Sequence, residues 1–392
     1  MINRMHIFIY LDSAGWEILR KNNFLPDSMH FRYPVRSQLG DSITSLSTAL
    51  TGQPPNVHKH FGNYYYSPQH SMREMLEMTM HYLPCEEGAR SKTKLFHELF
   101  RKIRGYSGYF NRLSISPGRL RFFDYAGKQD IFARGGIPAS KSIPDYLHEN
   151  NIPHLIYDWR KSEEENLKNM LERIRHKSVQ FGLLFMHGLD KMLHHAPADE
   201  QKIAECLKNY ETQIEKIISE ADLHFNKYSV SVMSGHGMTA RQAVINIKNI
   251  IGKLGLVFGK DYIAFYDPTM ARFWYLDQEA KSIIIEQLRN IPHTRILSDA
   301  EMTGYNINFD DNMYGETVLL LDPGYQIEPN NRIRNSYPGM HGYAPEHEDS
   351  YGIFMSDHQP SPSPSWVGDF YHIMLAAIND CIPEHASPHE VT

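Results

Sequence analysis

What this chain lacks narrows it first. It carries three cysteines in 392 residues, Cys85, Cys206 and Cys381, odd in number and far apart, which speaks against a disulfide framework. Cys206 falls on the apolar stripe of a helical pattern and reads as a packing residue. No segment approaches the roughly 20 apolar residues of a membrane-spanning helix. The apolar stretch near the start, residues 7–11, is too short for the hydrophobic region of a secretory signal. The protein is therefore expected in the cytoplasm and without a membrane partner. Neither charge sign dominates: the formal net charge is −6, with no basic patch of the kind that binds nucleic acid. There is no internal repeat, and the single low-complexity piece, residues 359–365, reads as an extended surface loop.

What is present describes a globular chain. Hydrophobic residues make up 41% and charged residues 22%, an ordinary soluble composition, and the length suits one large α/β domain with an inserted subdomain. Five short apolar runs each end in a polar residue: 7–11 before Asp12, 181–186 before His187, 229–233 before Ser234, 318–321 before Asp322 and 351–355 before Ser356. Runs apolar almost throughout suggest strands buried on both faces, hence a parallel sheet. Between them, residues 198–219 place Ile203, Cys206, Leu207, Tyr210, Ile214 and Ile217 at spacings of three and four, the pattern of an amphipathic helix. This alternation predicts a doubly wound α/β fold with a mostly parallel central sheet and helices on both faces. One domain is expected over residues 1–385, followed by a polar tail, 386–392. Residues 68–140 and 258–312 break the alternation and are candidate cap segments over the sheet edge.

In such folds ligands bind beyond the carboxyl ends of the strands, so the polar residues there carry the functional reading. Asp12 follows the first run. Asp190 and His194 follow the run 181–186, at a spacing that puts both side chains on one face of a helical turn. His236 lies in Ser234-Gly235-His236-Gly237 after the third run, and His341 in Pro338-Gly-Met-His-Gly-Tyr343. Carboxylate and imidazole together suit zinc and similar divalent ions. Each has a bland alternative: an aspartate after a strand commonly caps a helix or sits in a loop, and a lone histidine is commonly structural. His187 and His195, which flank the ligand positions, read as structural. Ser356-Asp357-His358 reads as a loop coincidence.

Residues 37–63 complete the pattern. Their Ser/Thr-rich start, followed by Thr51-Gly52, Pro55 and His58, resembles the nucleophile segment of the alkaline phosphatase superfamily, in its nucleotide pyrophosphatase/phosphodiesterase branch. The order Asp12, Ser42, Asn63, Asp190, His194, His236, His341 matches the order of that family's site residues. The resemblance runs from residue 7 to about residue 380, with weaker echoes in Asp322-Pro-Gly-Tyr325 and Val367-Gly-Asp-Phe370. No cysteine lies in a Cys-x-Pro-x-Arg segment, from which sulfatases make their formylglycine.

The resemblance implies a metal-dependent phosphoester hydrolase acting on a small-molecule phosphate ester or nucleotide, a phosphodiester or nucleotide pyrophosphate in preference to a monoester. Ser42 would be the nucleophile and Asn63 would hold the phosphoryl oxygens. The plain alternative for Ser42 is a helix N-cap, and a helix N-terminus also suits a bound phosphate. Two divalent ions, commonly zinc, are implied. One would be held by Asp190, His194 and His341. The other would be held by Asp12, His236, the Ser42 oxygen and an aspartate just before the histidine. In this chain that last position is Gly235, so one or two ions per chain are expected. Asp41 could stand in, the second ion could bind loosely, the enzyme could run on one ion, or a weakened relative could keep binding alone. Gly235→Asp is expected to raise metal occupancy. The rival functions are phosphomonoesterase, phosphonate hydrolase or phosphoryl transferase of the same fold, and a single-metal binding protein. The sequence carries no signal of oligomeric state.

Overall fold

The five apolar runs all become strands, but not of one sheet. The structure, a computed structural model, describes residues 4–68, 105–108, 122–333 and 335–382. Most of the candidate cap segment 68–140, Cys85 and the tail 386–392 lie outside the described residues. The N-terminal part contains β1 (Arg4–Leu11), α1 (Trp16–Lys21), β2 (Phe31–Val35), α2 (Ser42–Thr51), α3 (Pro55–His58), β3 (Tyr64–Tyr66) and β4 (Phe123–Tyr125). It continues through α4 (Ile143–Glu149), β5 (His154–Ile156), α5 (Glu163–Arg175), β6 (Phe181–Met186), α6 (Gly188–His195), α7 (Glu200–His224) and β7 (Lys227–Ser234). After the short strands β8 (Thr239–Ala240) and β9 (Ala243–Ile245) come α8 (Ile247–Gly252), β10 (Tyr262–Tyr266), β11 (Met270–Tyr275), α9 (Gln278–Arg289), β12 (Thr294–Ile296) and α10 (Asp299–Gly304). The chain closes with β13 (Thr317–Leu321), β14 (Tyr325–Ile327), β15 (Gly339–Met340), β16 (Gly352–Ser356) and α11 (Asp369–Cys381). Among the described residues no helix is long and apolar enough to cross a membrane.

The central sheet has the strand order β2-β16-β7-β1-β6-β5. Its β7, β1, β6 and β5 run parallel, while β16 is antiparallel to both neighbours. The sheet is therefore mixed, with a parallel core. Because successive side chains alternate between the faces of a strand, β1 sends Ile7, Ile9 and Leu11 to one side, into a core with Met170 and Ile174 of α5, Leu193 of α6 and Ile214 of α7. Phe8 and Tyr10 point to the other side, toward Leu46 and Leu50 of α2, Leu147 of α4 and Phe370 of α11. Helices thus cover both faces, as a doubly wound fold requires.

The run 318–321 departs from the expected parallel sheet. It forms β13 of a second, wholly antiparallel sheet ordered β10-β11-β13-β12. The strand is nonetheless apolar throughout because both of its faces are covered. Leu319 and Leu321 pack with Ile284 and Leu288 of α9, and Val318 and Leu320 pack with Leu39 and Phe61. Residues 258–312 supply most of this sheet, which thereby leans on the segment that flanks Ser42. Buried side chains help fix the contact, with Gln38 Nε2 donating to the Tyr305 carbonyl and the Tyr314 hydroxyl to the Lys59 carbonyl. Arg272 of β11, fully buried, donates from Nε to the Asp267 carboxylate at 2.9 Å and from Nη1 to the Tyr64 carbonyl at 2.8 Å.

Helix α2 is unusual in being polar and buried on every side from Thr44 to Thr51. Buried hydroxyls need partners, and this sequence supplies them from α3 and the loop after it. The Ser47 hydroxyl bonds His60 Nδ1 at 2.8 Å, and the Thr48 hydroxyl bonds His58 Nε2 at 3.0 Å. The His60 backbone N–H donates to His58 Nδ1 at 3.1 Å, so the His58 proton sits on Nε2 and is given to Thr48. Thr51 Oγ1 donates to the Ser47 carbonyl at 2.6 Å. The helix ends at Gly52, whose left-handed φ of 64° suits the residue. Burial holds the His58 imidazole well below its ordinary value and lowers His60 to about 4. The unfolded chain takes up these protons near pH 6.5 and the folded chain does not, so the stability they contribute is complete above pH 6.5 and is lost as the pH falls toward 4. For His60 the loss should be on the order of 3 kcal/mol at about 1.4 kcal/mol per pKa unit. Denaturant unfolding at a series of pH values checks this. The difference in slope between wild type and His60→Asn should appear between pH 6.5 and 4.5, and parallel curves would refute it.

Candidate active site

The parallel strands β1, β6 and β7 deliver their carboxyl ends to one edge of the sheet, with Leu11 opposite Met186 and Tyr10 opposite Met233. Asp12 continues β1, and its backbone N–H donates to the Met186 carbonyl at 2.8 Å. Ser13 then turns the chain with φ of 60°, a conformation non-glycine residues seldom adopt and one that concentrates at functional sites. The loop after β7 approaches this turn so closely that a Cβ on Gly237 would lie 3.1 Å from the Gly15 Cα, and on its other side it would meet the Asp349 carbonyl oxygen at 2.4 Å. That contact accounts for the second glycine of the Gly-His-Gly motif.

One group of side chains has the makings of a cation site. Asp190, in the first turn of α6, and His194, one turn on, share a face of the helix, and His341 joins them from the segment after β15. Their ligand atoms all lie within 4.8 Å of one another. Asp190 Oδ1 is 3.4 Å from His194 Nε2 and 3.7 Å from His341 Nε2. Nδ1 of His194 donates to the Gly339 carbonyl at 2.9 Å, which leaves the Nε2 lone pair for a ligand, the usual outer support of a metal-bound histidine. The Ser13 hydroxyl donates to Asp190 Oδ1 at 2.6 Å and fixes the carboxylate.

A second group lies beside it. His236 Nε2 is 3.3 Å from Asp12 Oδ1 and 3.2 Å from the Ser42 hydroxyl. Its Nδ1 donates to the Gly237 carbonyl at 3.1 Å. The His236 ring stacks on His341 with centroids 4.0 Å apart and 12° between planes, so the two groups touch. Burial, then the Asp190 charge, raises the Asp12 carboxyl well above the ordinary range. Burial lowers His236, and burial together with His236 and His194 lowers His341. Asp12 Oδ1 and His341 Nδ1 are buried without a hydrogen-bond partner among the described residues. Carboxylates beside imidazoles that burial disfavours from protonating, as at His236 and His341, are a donor set short of positive charge, and a divalent cation supplies that charge. The Asp190–His194–His341 group fits one.

The second group does not fit in the same way. Asp12 and His236 contribute two ligands, and the space for a third is taken. A Cβ on Gly235 would lie 1.7 Å from the Ser45 hydroxyl oxygen and 2.3 Å from the Tyr10 hydroxyl, which are hydrogen-bonded to each other at 3.0 Å. Asp41 does not stand in. Its Oδ1 accepts from the Thr44 N–H and hydroxyl at 3.3 and 3.1 Å, and its Oδ2 pairs with Arg332 at 3.1 Å. Asp41 is also the N-cap of α2, so the reading of Ser42 as the cap is corrected: Ser42 is the first residue inside the helix, with its hydroxyl turned to His236. Asn63 is buried beside β3, and its Nδ2 has no partner among the described residues.

Other residues resolve as structural. His187 pairs through Nδ1 with Glu163 at 3.0 Å, and His195 packs its ring on Tyr337. The second Ser-Asp-His lies at the opposite edge of the sheet, because β16 runs against β7; the Asp357 carboxylate there accepts from the Val230 N–H at 3.3 Å. Sequence reasoning did not find Ser13, Tyr10, Ser45 or Arg332. Ser13 directly follows Asp12 and Ser45 lies in the Ser/Thr-rich segment, but nothing marks Arg332.

A hydroxyl at a helix N-terminus facing a carboxylate–histidine cluster, on the carboxyl edge of a doubly wound sheet, defines an alkaline phosphatase-like α/β enzyme. The chain belongs to the type I phosphodiesterase / nucleotide pyrophosphatase family, whose model matches residues 7–344; this places it among phosphoester hydrolases. Its fold is similar to that of murine ectonucleotide pyrophosphatase / phosphodiesterase 5 at 14% identity and a TM-score of 0.68, over 98% of this chain and 96% of that one. An inactive variant of the murine protein in complex with AMP gives the same values. The human counterpart is also 14% identical, with a TM-score of 0.68, over 99% of this chain and 97% of that one. No curated protein sequence matches the chain.

If Asp41 serves as cap and Arg332 partner, Asp41→Ser should keep the cap, leave the uptake of added divalent metal unchanged and cost less stability than Asp41→Ala, which should lose about 1 kcal/mol or more. Denaturation curves and elemental analysis of the two variants check this. Loss of an equivalent of divalent metal from Asp41→Ser would return Asp41 to the candidate ligands.

Proposed function

We propose that the chain hydrolyses small-molecule phosphodiesters or nucleotide pyrophosphates, with Ser42 as nucleophile and a divalent cation, zinc as the expected ion, held by Asp190, His194 and His341. The observation that carries this reading is the Ser42 hydroxyl, 3.2 Å from His236 Nε2 at the first residue of a ten-residue helix and next to the three-ligand group. The cation, when bound, would stabilise charge on the phosphoryl and leaving-group oxygens as a Lewis acid. The AMP complex of the murine neighbour supports a nucleotide as the substrate class.

The remaining work falls to the chain's own residues. Ser42 Oγ attacks phosphorus as its proton passes to the Asp12–His236 pair. The bond from phosphorus to the leaving oxygen breaks, giving a phosphoserine that water then hydrolyses. His236 Nδ1 is committed to the Gly237 carbonyl, so Nε2 is the nitrogen that receives the proton. The α2 N-terminus, where Asp41 takes the Thr44 N–H, would face the phosphoryl group with its first backbone N–H groups and positive dipole end. Asn63 Nδ2, buried and unpartnered among the described residues, donates to a phosphoryl oxygen. Arg332, tied to Asp41 at the same helix end, offsets the carboxylate charge where an anionic substrate must approach.

Turnover of bis-(p-nitrophenyl) phosphate by the zinc-loaded protein should exceed that of p-nitrophenyl phosphate. Ser42→Ala should lower kcat at least about 10³-fold with zinc content unchanged. Asn63→Ala should lower it about 10²- to 10³-fold, the usual effect of removing one oxyanion donor. Wild-type turnover in Ser42→Ala would exclude the serine mechanism. Preference for the monoester would favour the phosphomonoesterase reading.

A further inference from the structure

The resemblance to the family places a carboxylate before His236, and this chain has Gly235 there. The structure shows what has taken its place. Tyr10 leaves the central strand β1 on the side that faces α2, and its hydroxyl meets the Ser45 hydroxyl at 3.0 Å. Both residues are buried to within 1%, and Tyr10 is backed by the Phe185 ring, with centroids 5.6 Å apart. A Cβ on Gly235 would lie 1.7 Å from Ser45 Oγ, 2.3 Å from the Tyr10 hydroxyl and 2.9 Å from Ser45 Cβ, all far inside van der Waals contact. Ser45 is short and sits on a helix buried on every side. Tyr10 is on the middle strand of the sheet. Neither can swing aside. The nearest alternative carboxylate, Asp41, is engaged by Thr44 and Arg332.

We infer that Gly235, Tyr10 and Ser45 form a neutral plug where a metal-binding carboxylate would stand, so that the chain holds one divalent cation tightly, at Asp190, His194 and His341, and has no strong second site at Asp12 and His236. The expectation that Gly235→Asp alone raises metal occupancy is thereby reversed: the aspartate has no room. Glycine, tyrosine and serine are a coupled set, and a second site returns only when all three change. This inference rests on the cation reading of the Asp190 group given above, and the experiment separates the two.

The full chain is stripped with chelator and titrated with zinc chloride by calorimetry, with elemental analysis after gel filtration. Wild type should bind one tight equivalent, with any second ion at least about tenfold weaker. His194→Ala should lose the tight equivalent and His236→Ala should keep it. Gly235→Asp should gain none and should unfold at lower temperature. The triple variant Gly235→Asp/Tyr10→Phe/Ser45→Gly should bind two. Two comparable equivalents in wild type, loss of the tight equivalent in His236→Ala, or a second equivalent in Gly235→Asp with undiminished stability would overturn the plug while leaving the Asp190 group intact as a cation site. No tight equivalent in wild type, or a tight equivalent that survives His194→Ala, would overturn both. Should the triple variant fail to fold, the wild-type and His236→Ala titrations still decide.

Discussion

The parallel pairing of β1 between β6 and β7 is the constraint on which the rest of this molecule depends. Its ladder fixes Leu11 opposite Met186 and Tyr10 opposite Met233, and so brings Asp12, the start of α6 and the Ser-Gly-His-Gly loop to a common edge. A one-residue slip would turn every side chain of β1 to the other face. Ile7 and Ile9 would leave the core with α5 and α7, and Tyr10 would leave Ser45. Large apolar clusters on both faces of β1 make such a slip costly, at roughly 1.5–3 kcal/mol for each large side chain displaced from burial. The geometry of the site is thus held by hydrophobic packing several residues away from it.

The same alternation explains why one face of β1 carries the chemistry and the other closes it. Tyr10 and Asp12 are two residues apart and share a face, toward α2. That helix brings Ser42 to His236 and, three residues on, Ser45 to Tyr10. One helical turn therefore presents both the candidate nucleophile and half of the plug. The polar character of α2, odd for a buried helix, follows from this double duty, and His58 and His60 satisfy the hydroxyls farther along it. The second sheet contributes by anchoring. Arg272 bonds the Tyr64 carbonyl, and the residue before Tyr64 is Asn63.

Much of this was legible in the sequence, for reasons that can be located. Four strands of the central sheet, β1, β6, β7 and β16, announced themselves because burial on both faces removes polar residues, whereas the less buried edge strands β2 and β5 did not. The Asp190–His194 pair was legible because helical spacing alone puts the two side chains on one face. The runs 318–321 and 351–355 were expected in a parallel sheet and became the antiparallel strands β13 and β16, because an apolar run covered on both faces says nothing about the direction of its neighbours. Ser42 was read as a possible cap because the residue types favoured at that position, serine and aspartate, stand side by side; only the backbone decides that Asp41 caps. Gly235 was visible as a departure, but its consequence was not. The atoms that fill its space belong to residues 225 and 190 positions earlier in the chain, and no spacing rule connects Tyr10 and Ser45 to it.

Charge gives a separate reason why the plug and the remaining ligands belong together. Asp41 is neutralised by Arg332, so the two contacting groups hold two carboxylates, Asp12 and Asp190, with three histidines that burial keeps from protonation in the case of His236 and His341. One dication balances those two charges. A second would place two uncompensated positive charges in a buried site, where desolvation is costly unless a counter-charge is built in. With an aspartate at 235 that counter-charge would be partly present; with a glycine backed by two neutral hydroxyls it is absent. An anionic phosphoryl group could supply that counter-charge to a second ion, and only while substrate is bound. On the proposed plug, any second ion on the Asp12–His236 side depends on bound substrate, while Asp190, His194 and His341 offer three ligand atoms of their own.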